Sequence, residues 1–185
     1  MAVEEPPFTL VTRDGAFEVR DYPAQMAAEV AVPGEQKQAA NRGFRILAGY
    51  IFGGNRRRQS IAMTAPVAMI PGGETIAMTA PVTQMGAAGS WVVRFTMPRA
   101  YTLETLPAPT DPRVHLRRIP ASRVAVLKFS GIAGQRDLDE KSKVLAREAR
   151  AHGLTPTGAP SLAQYDPPWT PWFMRRNEVM IAVER

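Results

Sequence analysis

The sequence Arg20-Asp21-Tyr22-Pro23-Ala24 recurs 97 residues later as Arg117-Arg118-Ile119-Pro120-Ala121. The two copies share arginine, proline and alanine. Each is followed, at the same offsets, by an alanine and a glycine: Ala28 and Gly34 in the first copy, Ala125 and Gly131 in the second. Self-similarity at a fixed offset is typical of a folding unit that is written twice. The spacing therefore predicts two pseudo-repeats, at about residues 17–84 and 113–184.

The order of the predicted elements repeats together with the motif. In each half two short strands precede a glycine break, and a helix and two more strands follow. Runs of strands with one helix per half favour an α+β fold, a twisted antiparallel β-sheet or open barrel with two helices. The predicted strands lie at 17–22, 25–32, 60–70, 74–84, 91–97, 113–119, 123–129, 161–166 and 176–184, the helices at about 35–52 and 138–152, and a linking loop at 99–112.

The second helix has the clearest boundary signals. Asp137 is expected to cap its first turn, with Glu140 completing a capping box, and Gly153 is expected to end it. One face is predicted to carry Leu138, Leu145, Ala149 and His152 at helical spacing.

Size and composition indicate a single globular domain spanning residues 1–185. Hydrophobic residues make up 45% and charged residues 22% of the chain, which has no cysteine. The lack of cysteine excludes disulfides, thiolate catalysis and thiolate-bound haem. No segment is apolar enough to be a membrane span or a signal peptide, so we expect a cytoplasmic protein. The net charge of +6 comes with no nucleic-acid-binding signature, which makes nucleic acid an improbable partner.

Two identical heptapeptides, Ile-Ala-Met-Thr-Ala-Pro-Val, occupy residues 61–67 and 76–82. The proline in each predicts an edge strand or a bulge. Met63 and Met78 are interpreted mainly as core packing, although a thioether can also ligate haem iron.

The first helix is predicted to carry Phe44, Leu47, Ala48 and Ile51 along one stripe. Gly43 and Gly49 lie inside it, where each glycine costs about 1 kcal/mol relative to alanine. Close packing on the sheet and a flat ligand against the helix both explain such glycines. Arg42 and Arg45 lie near the stripe and could meet carboxylates.

An aromatic segment precedes the last strand. Residues 165–178 read Tyr-Asp-Pro-Pro-Trp-Thr-Pro-Trp-Phe-Met-Arg-Arg-Asn-Glu, so Trp169, Trp172 and Phe173 stand beside Arg175 and Arg176. Rigid aromatic rings next to guanidinium groups suit a ligand with a broad π-face and carboxylate edges. A hydrophobic plug against the sheet edge is an equally good interpretation.

Neither metal ligation nor catalysis has a clear signature. The two histidines, His115 and His152, lie far apart in sequence, and His115 is predicted to be exposed. Nucleophile elbows, P-loops and dinucleotide fingerprints are lacking. We therefore expect no catalytic residues and no metal site.

The motifs together resemble the SOUL/haem-binding-protein family over nearly the whole chain. They are the Phe-Glu-Val-Arg-Asp-Tyr-Pro segment at 17–23, Phe44-x-x-Leu47-x-x-Tyr50-Ile51-x-Gly53-x-Asn55, the Met-Thr-Ala-Pro-Val repeats, and Tyr165 followed by Arg176-Asn177-Glu178-Val179. The resemblance implies a twisted antiparallel barrel with two helices, similar in fold to the effector-binding domains of some bacterial transcription regulators. It also implies binding of haem or another tetrapyrrole.

Carried onto this sequence, the family's site implies an apolar surface along the first helix and the loop before the last strand: Phe44, Arg45, Ala48, Gly49, Phe52, Trp172, Phe173 and Arg175. Some members carry a histidine, proposed as an iron ligand, where this chain has Asp21. The resemblance therefore implies contact through packing and arginine–propionate pairs rather than strong axial ligation.

Three functions remain open at this point. The leading hypothesis is a non-enzymatic tetrapyrrole carrier or buffer. The second is an effector-type module for a different amphipathic small molecule, and the third is an enzyme that modifies tetrapyrroles.

Overall fold

Nine antiparallel strands form one open sheet in the computed structural model, which describes residues 4–71, 89–166 and 169–185. Two helices and a short 3-10 turn accompany the strands in these ranges. The strands are β1 (Thr9–Asp14), β2 (Phe17–Tyr22), β3 (Gln25–Pro33), β4 (Val67–Pro71), β5 (Ser90–Thr96), β6 (His115–Ile119), β7 (Ser122–Ser130), β8 (Thr155–Gln164) and β9 (Arg176–Glu184), the helices α1 (Gln36–Ile51) and α2 (Gln135–Ala151), and the turn Trp172–Met174.

The strand order is β1-β2-β7-β9-β8-β4-β5-β3-β6, with the sheet open between β1 and β6. This confirms the predicted α+β class with an open antiparallel sheet and two helices.

The register of the sheet supports the predicted duplication. Arg20 of β2 pairs with Val124 of β7, and Arg117 of β6 pairs with Ala27 of β3. Both members of the second pair are offset by 97 residues from members of the first, 117 − 20 and 124 − 27. The two copies of the motif thus lie against matching positions of their neighbouring strands, and the duplication itself stays a prediction.

Both helices pack on the same face of the sheet. Helix α1 lies on β3 and β5, and α2 lies on β7, β8 and β9. Alternating residues of these strands, such as Val93 and Val179, form one apolar core with the helices. The opposite face of the sheet carries charged side chains, among them Glu18 and Arg20 of β2 and Glu178 of β9.

Helix α2 begins three residues earlier than the sequence predicts. Its N-cap is Gly134, whose N–H donates to Asp137 Oδ2 at 3.1 Å, so Asp137 acts from the third helical position instead of as the cap. Leu138, Leu145 and Ala149 are buried as predicted, whereas His152 is exposed. Gly153 has a φ of +73° and ends the helix, as predicted.

The first Met-Thr-Ala-Pro-Val segment is mostly not a strand. Strand β4 begins at Val67, directly after Pro66, and lies between β5 and β8 in the middle of the sheet. The predicted edge position is therefore wrong: proline cannot donate to a ladder on either side, and the strand starts after it. The second copy at 76–82, with Met78, and the predicted strand 74–84 lie outside the described residues.

Candidate functional site

Helix α1 presents two different faces. Leu47 and Ile51 are buried in the core, whereas Phe44 is 37% and Phe52 is 67% exposed. Residues four apart lie on one side of a helix, so Phe44, Ala48 and Phe52 form an outward line. The predicted stripe thus divides into core residues and an exposed aromatic line.

The two glycines of α1 have different environments. A Cβ at Gly43 would lie 2.3 Å from Cγ2 of Val93, so this glycine lets the helix lie directly on β5. A Cβ at Gly49 would meet nothing within 4 Å, and the position is exposed. Close helix–sheet packing therefore explains Gly43 only. Gly49 leaves a side-chain-free surface, and Arg45 lies one turn before it, exposed.

The aromatic segment before β9 is exposed. Trp172 and Phe173 are each 60% exposed and meet edge-on, with 5.7 Å between ring centroids. The half-buried Arg175 donates from Nε to the Thr170 carbonyl oxygen at 2.9 Å, which helps hold the turn. The alternative interpretation, a hydrophobic plug against the sheet edge, is wrong for these two rings.

The register of the strands places the exposed line of α1 and the aromatic turn toward the same end of the sheet. Helix α1 starts near the end of β3, where Arg42 Nη2 donates to the Pro33 carbonyl oxygen at 3.0 Å. The helix then passes Phe95, whose ring lies edge-on to Phe44 at 5.4 Å, and ends beyond it. The turn Trp172–Met174 ends just before β9, whose second residue is Asn177. One row of paired residues joins these points across five strands: Phe95, Val67, Gln164, Asn177 and Phe129.

The described contacts keep the two sets separate within that end. The ring partner of Phe44 is Phe95, and that of Trp172 is Phe173. A single ligand bridging the α1 line and the aromatic turn therefore stays a prediction.

Two candidate iron ligands in the described part of the chain, Met63 and His152, are engaged in other contacts. Met63 is half-buried and packs against the core. His152 stacks on Phe17 at 4.7 Å, and its Nδ1 lies 2.9 Å from the Glu148 carbonyl oxygen. His115 is exposed, as predicted. In the described part of the chain, no group of three potential ligands is placed to hold a metal ion.

Asp21 forms an ion pair with Arg123. Its carboxylate accepts hydrogen bonds from Arg123 Nε and Nη2 at 2.7 and 2.8 Å. These hydrogen bonds lower the pKa of Asp21, although burial opposes them slightly. Some family members have a histidine at this position. Here it is a carboxylate whose negative charge is already balanced by Arg123.

Sequence reasoning missed a buried charge network on the face opposite the helices. Arg20 donates from Nη1 and Nη2 to both carboxylate oxygens of Glu178 at 2.9 and 2.8 Å, and from Nε to Glu18 at 2.7 Å. Lys128 reaches Glu18 at 2.5 Å, and the Tyr165 hydroxyl donates to Glu178 at 2.5 Å. The exposed Arg13 of β1 also donates to Glu18, at 2.8 Å. Two carboxylates and three cations, with the Tyr165 hydroxyl, thus join β1, β2, β7, β9 and the residue after β8.

The network is charged and satisfied. Burial by itself would raise the pKa of Glu18, but hydrogen bonds from Lys128 and Arg20 outweigh burial and lower the pKa to about 2. Burial, reinforced by the neighbouring Glu178, raises the pKa of Tyr165. The alternation of Glu18 and Arg20 on one side of β2 was the available signal, and alone it indicates a solvent-facing side.

An N-terminal segment covers this network. The Phe8 ring lies 4.3 Å from the Arg20 guanidinium, and Arg176 lies over the Tyr165 ring at 3.8 Å while pairing with Glu5. Nothing in the sequence pattern of residues 4–8 predicts this contact.

None of the helices in the described ranges has the length and apolarity needed to cross a bilayer.

Comparison with known proteins places the whole chain in context. A family model described as SOUL heme-binding protein matches residues 3–182. No curated protein matches the sequence.

Solved structures resemble the chain in fold. The EcmrR C-terminal domain aligns at a TM-score of 0.61 and 12% identity, covering 91% of this chain and 97% of that one. A hydrolase from Listeria innocua aligns at a TM-score of 0.59 and 14% identity, covering 91% of both chains. At such identities the likeness concerns the fold alone.

Proposed function

Because the chain belongs to the SOUL heme-binding protein family, we propose that it binds haem or a related tetrapyrrole as a non-enzymatic carrier or buffer. The proposed site is the outward side of α1 together with the aromatic turn. It consists of Phe44, Arg45, Ala48, Gly49, Phe52, Trp172, Phe173 and Arg175.

The open surface at Gly49 is the observation that carries this proposal. A macrocycle needs a flat apolar area, and Gly49 offers one beside the exposed Phe52 ring. Contiguous exposed apolar surface rimmed by polar side chains is typical of ligand-binding sites. Arg45, one turn away, can reach a carboxylate at the edge of such a ligand.

The described residues fit a tetrapyrrole held by packing better than one held through its metal. Asp21 is paired with Arg123, and Met63 packs against the core. Apolar contact and arginine–propionate pairs do not depend on iron. Hemin and metal-free protoporphyrin should therefore bind with comparable affinity.

Titration of the wild-type protein and three variants tests the site. Phe52→Ser and Trp172→Ala each remove an exposed ring, and Gly49→Leu places a side chain over the open surface. Each should weaken protoporphyrin binding by roughly ten-fold, the value of one buried aromatic or aliphatic side chain. Tryptophan quenching reports binding for the wild type, Phe52→Ser and Gly49→Leu, and porphyrin absorbance reports it for all four.

Val144→Ser is the matched control, because Val144 is a 38% exposed apolar residue on α2. It should bind like the wild type. Unchanged affinity in all three site variants would contradict the proposed site, and binding of hemin without protoporphyrin would contradict recognition by packing.

A second candidate function has a separate structural basis. A cavity of about 280 Å³ lies under the N-terminal segment, lined by Met26, Met97, Tyr101, Thr96, Glu4 and Arg99. It is too small for a porphyrin and suits a small amphipathic molecule. Thermal stabilisation by such a compound, abolished by Met97→Trp but not by Gly49→Leu, would favour an effector-type binding module.

A further inference from the structure

The end of the sheet beyond the Phe95–Phe129 row carries large apolar side chains that are outside the proposed tetrapyrrole site. Trp169 is 83%, Met174 is 63% and Ile132 is 68% exposed. Ile132 follows Gly131, whose carbonyl oxygen accepts a hydrogen bond from Asn177 Nδ2 at 2.8 Å, so its loop is tied to the row. We call Trp169, Met174 and Ile132 the apolar tip.

Three consecutive arginines stand at the same end. Arg56, Arg57 and Arg58 follow the end of α1 and are all exposed. In the described part of the chain none of them forms an ion pair, and Arg57 donates from Nη1 to the Thr105 carbonyl oxygen at 3.4 Å. Their charge is thus available to an anionic partner, in a chain whose net charge is +6.

Shape and composition at this end favour a lipid surface over a protein groove. Met174 lies in the turn after Pro171, Trp169 lies just before that proline, and Ile132 lies in the loop after β7, and all three side chains are exposed instead of lining a groove. Tryptophan prefers the boundary between hydrocarbon and headgroups, where its apolar ring and its N–H are both satisfied. Arginines at the same end of the sheet match anionic headgroups.

We propose that this end of the sheet docks on the surface of an anionic phospholipid bilayer. The apolar tip enters the boundary between headgroups and acyl chains, and Arg56, Arg57 and Arg58 bind the lipid phosphates. Neither contact involves a residue of the tetrapyrrole site, so the docking does not depend on the proposed function. It would bring that site next to a membrane.

Vesicle sedimentation of the full-length protein, without tetrapyrrole, tests the electrostatic part. The protein should sediment with vesicles of phosphatidylcholine mixed with phosphatidylglycerol and much less with phosphatidylcholine alone. Replacing Arg56, Arg57 and Arg58 by glutamine should lower the partition coefficient on the order of 100-fold, since each basic residue near the surface contributes about 1 kcal/mol. High salt should have the same direction of effect.

The matched control removes three charges elsewhere. Lys143, Arg147 and Arg150 are exposed on α2, toward its C-terminal end and away from the tip. Their replacement by glutamine changes the net charge equally and should lower partitioning far less. Equal losses in the two triple variants would show that the net positive charge of the protein, and not this end of the sheet, drives vesicle binding. That result would overturn the proposal.

The apolar part is tested by Ile132→Ser combined with Met174→Ser. This pair should reduce partitioning roughly ten-fold. The control pair, Leu10→Ser with Val144→Ser, removes two exposed apolar side chains from β1 and α2, away from the tip, and should have little effect. Because Trp91 is only 3% exposed and Trp169 is the tryptophan of the apolar tip, Trp169→Phe should remove most of a blue shift of fluorescence on vesicle binding.

Failure of docking and failure of tetrapyrrole binding are distinguishable. Gly49→Leu should keep vesicle binding and lose porphyrin affinity, and the arginine triple variant should do the reverse. A blue shift that appears without lipid as concentration rises, with dimers in light scattering, would show that the tip binds a second copy of the chain and would overturn the lipid assignment.

Discussion

Arg20 of β2 is the central residue of the buried charge network, which the sequence did not single out for function. Its guanidinium donates to Glu18 and Glu178, both nearly inaccessible to water, and to the Tyr22 hydroxyl at 3.0 Å. Burial by itself would lower the pKa of Arg20, but the hydrogen bonds to Glu178 and Tyr22 and the nearby charge of Glu178 together raise it. The cation therefore stays charged between two carboxylates that have lost their water.

Removing that cation should be costly. Arg20→Met leaves two buried carboxylates short of a partner, and we expect the free energy of unfolding to fall by about 3 to 5 kcal/mol. Urea unfolding at neutral pH measures it. The control is Arg117→Met at the matching position of the other half, where the arginine is 28% exposed and meets Glu29 at 3.3 Å. A loss of about 1 kcal/mol is expected there, and equal losses at the two sites would contradict the assigned role of the network.

The sequence did not predict this network because the side chains that cover it lie outside strand β2. Alternation in β2 separates Phe17 and Val19 from Glu18 and Arg20, which usually distinguishes a core side from a solvent side. Phe8 and Tyr165 close over the charged side. Neither contact leaves a periodic signal.

Helix α1 shows how one element serves both the fold and the proposed site. Its core side rests on β5 through Gly43, and its outer side leaves Gly49 open. The sequence predicted the helix to within a residue at each end, since Gly53 and Gly54 mark its stop. Two explanations for its glycines remained, and only the contact with Val93 separates them.

Two alanine substitutions test that difference. Gly43→Ala forces a Cβ into Val93 and should cost about 1 to 3 kcal/mol of unfolding free energy. Gly49→Ala meets no neighbour and should stabilise the helix by up to about 1 kcal/mol. Urea unfolding of both variants checks the opposite signs, and destabilisation by both would contradict the packing of α1 on β5.

Elsewhere the local pattern misplaced element boundaries. Strand β1 was not predicted because it is an edge strand with exposed, non-alternating residues. Asp137 reads as a helix cap, yet its carboxylate serves Gly134 from inside the helix. Both errors arise where a neighbouring strand or a backbone N–H, not the local pattern, sets the boundary.

At the scale of the whole molecule, the sheet separates an apolar core from a buried network of charged side chains. The helices and the apolar core lie on one face, the buried ion network on the other, and the exposed aromatic residues at one end. The sequence echo and the family motifs were enough for the fold class. That the α1 line and the aromatic turn share an end follows only from the register of five strands.

The most direct test of the tetrapyrrole site is a titration of the isotopically labelled protein with metal-free protoporphyrin, followed by amide NMR shifts. Ring currents from the macrocycle should move the amides of residues 44–52 and 172–175 most and leave those of Glu18, Arg20 and Glu178 in place. Shifts concentrated on the ion-network face, or spread evenly over the protein, would contradict the proposed site.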